Sequence, residues 1–303
     1  MVEVWLPYGA TEVSARIPAE NYAGILNARD VAKPTDARLA VQKALSDPLG
    51  AQPLRKLLGP DTSAVIQVNV ANPRPVHDLL LPSIIEELRA AGARDENVKV
   101  VATAGVTPPL GLEDAKSRLG RSVAGKFTVI RHDPGDNGAL VSLGETRRGT
   151  PVYLNRGYLE SDVKILTGEV GFHAYAGYSG GRESVALDLS GVSTLTQLHG
   201  LLPSGESHSG VLGTNPVHED MSEIAGLAPP AFTVNVIRDV SGNIVTVLAG
   251  EMGKVLEEGI KVVESFLAPS LPDQVDVVVA SPGGNPHDAN LSAAIGALEN
   301  ALS

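Results

Sequence analysis

The stretch SAVIQVNVANPRPVHDLLLPSIIEELRAAGARDENVKVVATA, residues 63–104, decides the fold class. Its first segment, 63–70, is rich in β-branched residues and is typical of a buried strand. Residues 79–93 carry apolar side chains at helical spacing, and Gly92 supplies a stop signal. Residues 97–104 repeat the buried-strand pattern. A strand, a helix and a second strand in this order predict a parallel pair joined by a right-handed crossover.

The segments that follow continue the alternation of strands and helices. A short helix is predicted over residues 112–120, and a third strand over residues 126–133. Two β-branched runs within 232–250 flank a turn at Gly242 and predict a β-hairpin. Residues 254–267 have the apolar spacing of an amphipathic helix. The sequence therefore predicts an α/β protein with a mostly parallel sheet, crossover helices and β-hairpins.

Two further segments bear on the organisation of the chain. Residues 149–170 read as a hairpin-like pair or as two short strands. Near the end, a proline-containing linker leads to an apolar run over 275–281, which predicts a strand and is followed by a predicted helix. We therefore expect an N-terminal α/β domain over 1–268, and a linker with the start of a second α/β domain over 269–303.

Composition excludes several classes of protein. The 303-residue chain is 43% hydrophobic, so it can bury a sizeable core, and its formal net charge of −11 argues against a nucleic-acid-binding surface. There is no cysteine, which excludes disulfides, thiolate zinc sites and a cysteine nucleophile. No run approaches the ~20 apolar residues that cross a membrane, and the N-terminus lacks a secretory pattern. These features predict a soluble, cytoplasmic protein.

A ligand site is expected at the carboxyl edge of the predicted sheet. In open α/β sheets, ligands bind beyond the carboxyl ends of the strands. The loops NVANPRP (69–75) and TAGVTPP (103–109) both leave a predicted strand at this end.

The stretch GFHAYAGYSGGRES, residues 171–184, is the strongest local candidate for chemistry. Its G-x-S-x-G pattern fits a nucleophile elbow at Ser179, for which Asp188 and either His199 or His218 could complete a triad. The same turn could bind an anion through its N–H groups, or simply lead into a helix. The pattern alone leaves all three interpretations open.

The histidines of the chain allow either a site or a structural role. His173 and His199 are 26 residues apart and could bind a metal or carry protons, or each could be a satisfied core histidine. His77 and His132 are candidates for a substitute base. Their structural interpretation is that His77 caps a helix and that His132 ends a strand on the surface.

Several separate blocks, in one order along nearly the whole chain, resemble the nickel-dependent lactate racemase family, whose members interconvert stereoisomers of 2-hydroxy acids. The blocks are LPYGATEVSARIPAEN (6–21), RHDPGDNGALVSLGETRRGTPVYLNR (131–156), FHAYAGYSGG (172–181), GVSTLTQLH (191–199), GTNPVHEDM (213–221) and DVVVASPGGNPHDANL (276–291). Several ordered blocks are more specific than any single motif.

The resemblance implies a function and a set of site residues. The implied cofactor is a nickel ion held by a pincer-shaped pyridinium mononucleotide, which accepts a hydride from the substrate Cα. His173 maps onto an acid–base histidine of the family, and His199 maps onto its metal ligand. The implied cofactor-binding positions are Asn72, Ser179, Gly180 and Gly181.

The chain departs from the family pattern at several functional positions. Glu183 stands where a lysine usually tethers the cofactor, so any cofactor would be bound without a covalent bond. The other replaced positions are Val106 for a second acid–base histidine, Asn72 for an arginine with Arg74 two residues on, and Ala293 and Gly296 for a glutamine and a lysine.

Two hypotheses follow from the resemblance and its departures. The first is a racemase or epimerase that acts on a small-molecule 2-hydroxy acid. The second is a catalytically degenerate relative that serves as a binding subunit or pairs with a paralogous chain.

Overall fold

The computed structural model describes residues 1–72, 75–105, 110–268, 275–285 and 288–291, together with residues 294 and 297. The chain divides into two compact units, one formed by residues 1–29 and 266–303 and the other by residues 30–265. Because residues 269–274 lie outside the described part, the predicted domain division after residue 268 stays a prediction.

The described part of the chain contains strands throughout its length. They are β1 (Val2–Tyr8), β2 (Thr11–Ile17), β3 (Ala64–Asn69), β4 (Val98–Thr103), β5 (Thr128–Arg131), β6 (Leu140–Glu145), β7 (Pro151–Asn155), β8 (Val163–Glu169), β9 (Phe172–His173), β10 (Gly177–Tyr178), β11 (Phe232–Arg238) and β12 (Ile244–Gly250).

Helices, singly or in succession, connect many of these strands. They are α1 (Ala37–Ser46), α2 (His77–Ala90), α3 (Leu112–Leu119), α4 (Arg121–Ala124), α5 (Arg156–Leu159), α6 (Arg182–Ala186), α7 (Val192–His199), α8 (Pro216–Leu227) and α9 (Met252–Leu267). None of the helices in the described ranges has the length and apolar character needed to cross a membrane.

A six-stranded sheet forms the centre of the unit made by residues 30–265. Its strand order is β12-β11-β8-β3-β4-β5, and every neighbouring pair is parallel except β11 and β12. In the middle of the sheet, Ile66 of β3 lies opposite Val100 of β4 and Ile165 of β8. The predicted parallel sheet, its crossover helix α2 and the hairpin β11–β12 are all confirmed.

Both faces of this sheet are covered by apolar side chains. Ile66 and Val68 of β3 belong to a core cluster that includes Leu80 and Ile84 of α2, whereas Val65 belongs to a second cluster. Consecutive strand residues point to opposite faces, so a strand that is buried on both sides reads as a continuous apolar run. The central strands were recognisable in the sequence for this reason.

Of the two alternatives predicted for residues 149–170, the structure contains the two short strands and not the hairpin-like pair. The segment contains two strands, β7 and β8, but they do not pair with each other. The short helix α5 separates them, so that β7 pairs with β6 and β8 enters the centre of the main sheet. The sequence pattern indicates strands but cannot specify their partners.

The unit made by residues 1–29 and 266–303 contains the antiparallel hairpin β1–β2. Gly9 lies in its turn at φ 57°, and its N–H donates to Asp288 Oδ2 at 2.6 Å. Residues 275–281, for which the sequence predicts a strand, run without strand pairing in the described part of this unit. An extended apolar run becomes a strand only where another strand accepts its hydrogen bonds. Most of the helix predicted after it lies outside the described residues.

We expect Leu80→Ala to lower the free energy of unfolding by ~2–5 kcal/mol, because the Leu80 side chain is fully buried against the sheet and its removal leaves a cavity. Urea denaturation followed by circular dichroism measures the change. Leu39→Ala is the matched control, since Leu39 is also helical but 60% exposed, and should change stability by less than ~0.5 kcal/mol. Equal losses in both variants would contradict this account of the core.

Candidate functional site

His173 lies in a small hairpin beyond the carboxyl end of β8. Strand β9 pairs with β10, and His173 is opposite Gly177. Gly177 has φ 79°, and a Cβ at this position would stand 2.1 Å from the carbonyl oxygen of Val211. Only glycine therefore allows the hairpin to turn this closely against the 211 backbone. The turn brings His173 to the edge at which the sequence predicts a site.

The imidazole of His173 is oriented by the backbone of its own hairpin. Its Nδ1 accepts from the N–H groups of Tyr175 at 3.4 Å and Ala176 at 3.2 Å. With Nδ1 acting as an acceptor, the neutral ring carries its proton on Nε2. This Nε2 lies 3.9 Å from Glu183 Oε1. Proton exchange at His173 is therefore directed to the side of the ring that faces Glu183.

His199 ends helix α7 and approaches the same hairpin. Its Nε2 lies 3.4 Å from the hydroxyl of Tyr175. The Tyr175 ring contacts both imidazoles edge-on, with centroid distances of 4.3 Å to His173 and 5.9 Å to His199. Two histidines that are far apart in sequence thus converge on one tyrosine.

Ser179 braces the hairpin. Its Oγ accepts from the N–H of Gly171 at 2.9 Å and donates to the carbonyl oxygen of Glu169 at 3.0 Å. Asp188, the acid of the alternative triad, accepts instead from side-chain amides elsewhere on the sheet edge. These bonds favour a structural role for the hydroxyl over a nucleophilic one.

The two glycines after Ser179 are required by close packing. A Cβ on Gly180 (φ 93°) would meet Val170 Cγ2 at 2.8 Å, and one on Gly181 (φ 55°) would meet Met252 Cγ at 3.0 Å. The N–H of Gly180 donates to Glu183 Oε2 at 2.9 Å. The turn therefore already binds an anionic group, the carboxylate of its own chain.

Arg182, the first residue of α6, links this helix to the hairpin by hydrogen bonds. The residue is 2% exposed, and its Nη2 donates to the carbonyl oxygens of Ala176 and Tyr178, both at 3.0 Å. Its Nε and Nη1 have no hydrogen-bond partner among the described residues. Burial lowers the pKa of the Arg182 guanidinium to about 10, and the charge of Glu183 partly opposes this effect. Arg182 thus remains a cation at neutral pH.

Asp188 is a buried acid at the carboxyl ends of β3 and β4. Its carboxyl group accepts from Gln67 Nε2 at 2.7 Å and from Asn69 Nδ2 at 3.0 Å. Burial, and then the negative charge of Glu183, raises the pKa of Asp188 to about 8, and the side-chain hydrogen bonds only partly offset this rise. Asp188 therefore holds a proton at neutral pH. Sequence reasoning missed this role, because only the fold brings these side chains together.

Asn72 lies in the loop that follows β3. Its N–H donates to Asn69 Oδ1 at 3.2 Å, and the N–H of Ala71 donates to the same oxygen at 3.0 Å. Asn69 in turn contacts Asp188, so the loop is tied to the acid at the sheet edge. Val106 and Arg74, which the sequence also pointed to, lie outside the described residues, as do Ala293 and Gly296.

The other candidate histidines have structural surroundings. His132 is 4% exposed, accepts from Asn155 Nδ2 at 3.1 Å and donates from Nε2 to the carbonyl oxygen of Ser190 at 3.0 Å. The predicted surface position of His132 is therefore wrong, because the 131–133 segment passes under Ser190. Burial lowers the pKa of His132.

His77 is also buried, whereas His218 is only half-buried. His77 begins α2, is 2% exposed and contacts the carbonyl oxygen of Arg118 through Nε2 at 3.0 Å. His218 lies on α8, where burial, and then the charge of Arg182, lowers its pKa to about 4. His77 therefore reads as a buried structural histidine, although the N-cap residue of α2 is Val76 and not His77.

No three histidine, aspartate or glutamate side chains within the described ranges are grouped so that they could hold a metal ion. A metal at His199 would therefore have fewer than three such side chains as described protein ligands. Its remaining donors would have to come from a bound group.

The fold and the site define a class: a parallel α/β protein with two imidazoles gathered at the carboxyl edge of its sheet. The sequence model of the lactate racemase N-terminal domain matches residues 8–210, and the chain belongs to this family.

Relatives of known activity support the assignment. The lactate racemases of Lactiplantibacillus plantarum and Thermoanaerobacterium thermosaccharolyticum are each 28% identical to the chain. The matches cover 97% and 96% of this chain, and 70% and 69% of the respective relatives.

Solved structures agree with the fold. The lactate racemase apoprotein of Thermoanaerobacterium thermosaccharolyticum matches with a TM-score of 0.79 at 26% identity, covering 96% of this chain and 69% of that one. A Thermotoga maritima protein matches with a TM-score of 0.57 at 14% identity, over 76% of this chain and 58% of that one, and shows the fold alone.

We expect Asp188 to make stability fall as the pH rises. The folded state keeps the Asp188 proton up to about pH 8, whereas an ordinary aspartate loses it near 3.8. Between these values the folded state binds the extra proton, so the free energy of unfolding decreases by up to ~1.4 kcal/mol per pH unit.

Asp188→Asn removes this proton and should flatten the decrease between about pH 5 and about pH 8, as measured by urea denaturation at several pH values. Asp114→Asn is the control, because Asp114 is exposed on α3. If Asp188→Asn keeps the slope of the unsubstituted protein, Asp188 is not the group that holds the proton.

Proposed function

We propose that the chain is a lactate racemase-like isomerase that inverts the Cα of a small 2-hydroxy acid. In this proposal His173 carries the hydroxyl proton and His199 is the ligand of a nickel pincer nucleotide. The observation that carries the proposal is that both imidazoles contact Tyr175 at the carboxyl edge of the sheet, where ligands of such folds bind.

The chemistry of the substrate requires two different functions in the site. A Cα–H bond beside a carboxylate is too weakly acidic for simple proton removal, so inversion by way of a planar keto acid needs a hydride acceptor and a base. When bound, a nickel pincer nucleotide supplies the acceptor for the hydride. The base is His173, whose Nδ1 is held by the backbone so that Nε2 exchanges the hydroxyl proton.

The donor set at His199 fits such a group. The described contact of its Nε2 is a long one, 3.4 Å to the Tyr175 hydroxyl, which a metal can displace. A single imidazole suits a metal whose other donors belong to the bound nucleotide, and it agrees with the lack of a three-residue metal cluster in the described ranges.

The position of Glu183 argues for binding without a covalent bond. Its carboxylate cannot form the tether that a lysine provides in the family, and it holds the N–H of Gly180. The nucleotide would therefore be retained by its metal bond and by the surrounding loops, including the predicted positions Asn72, Ser179, Gly180 and Gly181.

The same carboxylate supports a second candidate function, that of a binding or partner subunit without turnover. Glu183 brings a negative charge to within 3.9 Å of His173 Nε2, where an anionic nucleotide or substrate would be repelled. A paralogous chain would then complete the catalytic centre. For either function we propose a cytoplasmic location, which a cysteine-free composition allows.

We expect protein co-expressed with cofactor-making enzymes to contain nickel and to isomerise members of a panel of 2-hydroxy acids. His199→Gln should lose the nickel, whereas His173→Gln should keep it and lose activity by ~10²–10⁴-fold, because only the proton carrier is removed. Elemental analysis and a chiral product assay measure the two effects. The exposed His208→Gln is the matched control and should change neither.

We expect Glu183→Lys to convert the bound nucleotide into a covalent one, seen as an added mass in intact-protein mass spectrometry. The lysine would stand where the resemblance expects the tether. Glu183→Gln keeps a side-chain oxygen for the Gly180 N–H and should show no added mass. If the unsubstituted protein and Glu183→Lys both lack nickel and nucleotide, the enzyme proposal fails and the binding subunit is supported.

A further inference from the structure

We propose that Tyr175 is a positioning residue that controls the two imidazoles separately: its ring holds His173, and its hydroxyl donates to Nε2 of His199 until a metal takes that nitrogen. The inference concerning nickel rests on the proposed function, in which His199 is the metal ligand. The hydrogen bond itself is a property of the metal-free protein and is testable without a cofactor.

On the His173 side, Tyr175 acts through its backbone and its ring. The backbone N–H donates to Nδ1 of His173 at 3.4 Å. The two rings stand at 86° with their centroids 4.3 Å apart, an edge-to-face contact that resists rotation of the imidazole. The hydroxyl takes no part in these contacts, so its removal should leave His173 in place.

On the His199 side, Tyr175 acts through its hydroxyl. The oxygen lies 3.4 Å from Nε2, and the rings are 5.9 Å apart at 68°. A hydroxyl that donates to Nε2 keeps the imidazole proton on Nδ1. The lone pair of Nε2 cannot serve the hydroxyl and a metal at the same time, so the hydroxyl competes with metal binding. The length of the bond keeps that competition weak.

Tyr175 is itself held firmly enough to play this part. Its carbonyl oxygen accepts from Nδ2 of Asn215 at 2.9 Å, and Asn215 is fully buried at the start of α8. A tyrosine hydroxyl ordinarily has a pKa of about 10, so it carries a proton that it can donate at neutral pH.

The hairpin offers a matched control for the loss of one hydroxyl. Tyr178 is the buried second residue of β10, and its ring stacks on that of Phe172 with the centroids 5.2 Å apart. Its hydroxyl donates to Glu264 Oε1 at 2.5 Å, away from Tyr175 and His199. Tyr178→Phe removes the same atom from the same hairpin without removing the contact at His199.

The test uses imidazole ¹⁵N spectra of the intact chain. The chain has seven histidines, so the signals of His173 and His199 are assignable by single substitution of each. Spectra are recorded for the unsubstituted protein, Tyr175→Phe, Tyr175→Leu and Tyr178→Phe, first without metal and then during titration with Ni²⁺ ions. The ratio of Nε2–H to Nδ1–H tautomers and the broadening of each signal are measured.

Tyr175→Phe should raise the Nε2–H to Nδ1–H ratio of His199 by about two- to tenfold, the value of one hydrogen bond, and leave His173 unchanged. Ni²⁺ should broaden the His199 signal at about two- to tenfold lower concentration in this variant. Tyr175→Leu should shift His173 as well, because the ring contact is lost. Tyr178→Phe should change neither histidine.

Two results would overturn the proposal. The first is a His199 tautomer ratio that is the same in Tyr175→Phe and in the unsubstituted protein. The second is an equal change in Tyr178→Phe, which would indicate a general loosening of the hairpin. Failure of the proposed function gives a different result: protein co-expressed with the cofactor-making enzymes contains no nickel in any variant, while the tautomer ratio still responds to Tyr175→Phe.

Discussion

Burial of the central sheet on both faces is the constraint from which the site follows. Because β3 and its parallel neighbours are covered on each side mainly by apolar side chains, the faces of the sheet leave little room for a polar centre. The buried polar side chains Gln67 and Thr103 lie towards the carboxyl ends of β3 and β4. The carboxyl end of β8 leads directly into the hairpin with His173, and β3 and β4 end at the side chains that contact Asp188.

Charge at this edge is arranged around Glu183. The buried cation of Arg182 donates through Nη2 to two carbonyl oxygens and thereby stabilises the hairpin. Burial, and after it the negative charge of Glu183, raises the pKa values of Tyr175 and Asp188, and the raised pKa keeps Asp188 protonated at neutral pH. A lysine at position 183 would reverse the sign of this local field. A glutamate in place of the family's lysine therefore changes the local electrostatic field as well as removing the covalent attachment point.

Membership of the lactate racemase N-terminal domain family and the geometry of this chain answer different questions. Membership accounts for the parallel sheet and for the order of the blocks along the chain. The geometry describes the side chains that are particular to this chain. His173 accepts a backbone N–H at Nδ1, His199 makes only a long contact through Nε2, and the carboxylate of Glu183 accepts from the N–H of Gly180 in the glycine turn. Function in such folds depends on these site details and not on the fold.

The sequence by itself determined the strands and helices that have a strong local period. The run 63–70 is apolar at most of the positions that a doubly buried strand requires, with the buried Gln67 as an exception, and residues 79–93 have a helical period that ends at Gly92. The resemblance likewise singled out His173 and His199 before their positions were known. Periodicity depends on neighbouring residues, and the resemblance depends on short blocks of sequence, so both can be recognised without a structure.

Only the tertiary structure decided which distant groups meet. Tyr175 lies 24 residues from His199 and Gln67 lies 121 residues from Asp188, and no local pattern connects either pair. The same reason explains why the sequence could not decide whether β7 and β8 pair with each other, and why the run 275–281, which has no strand partner among the described residues, was predicted as a strand. Hydrogen-bond partners and burial depend on the whole packed chain, whereas periodicity depends only on neighbours.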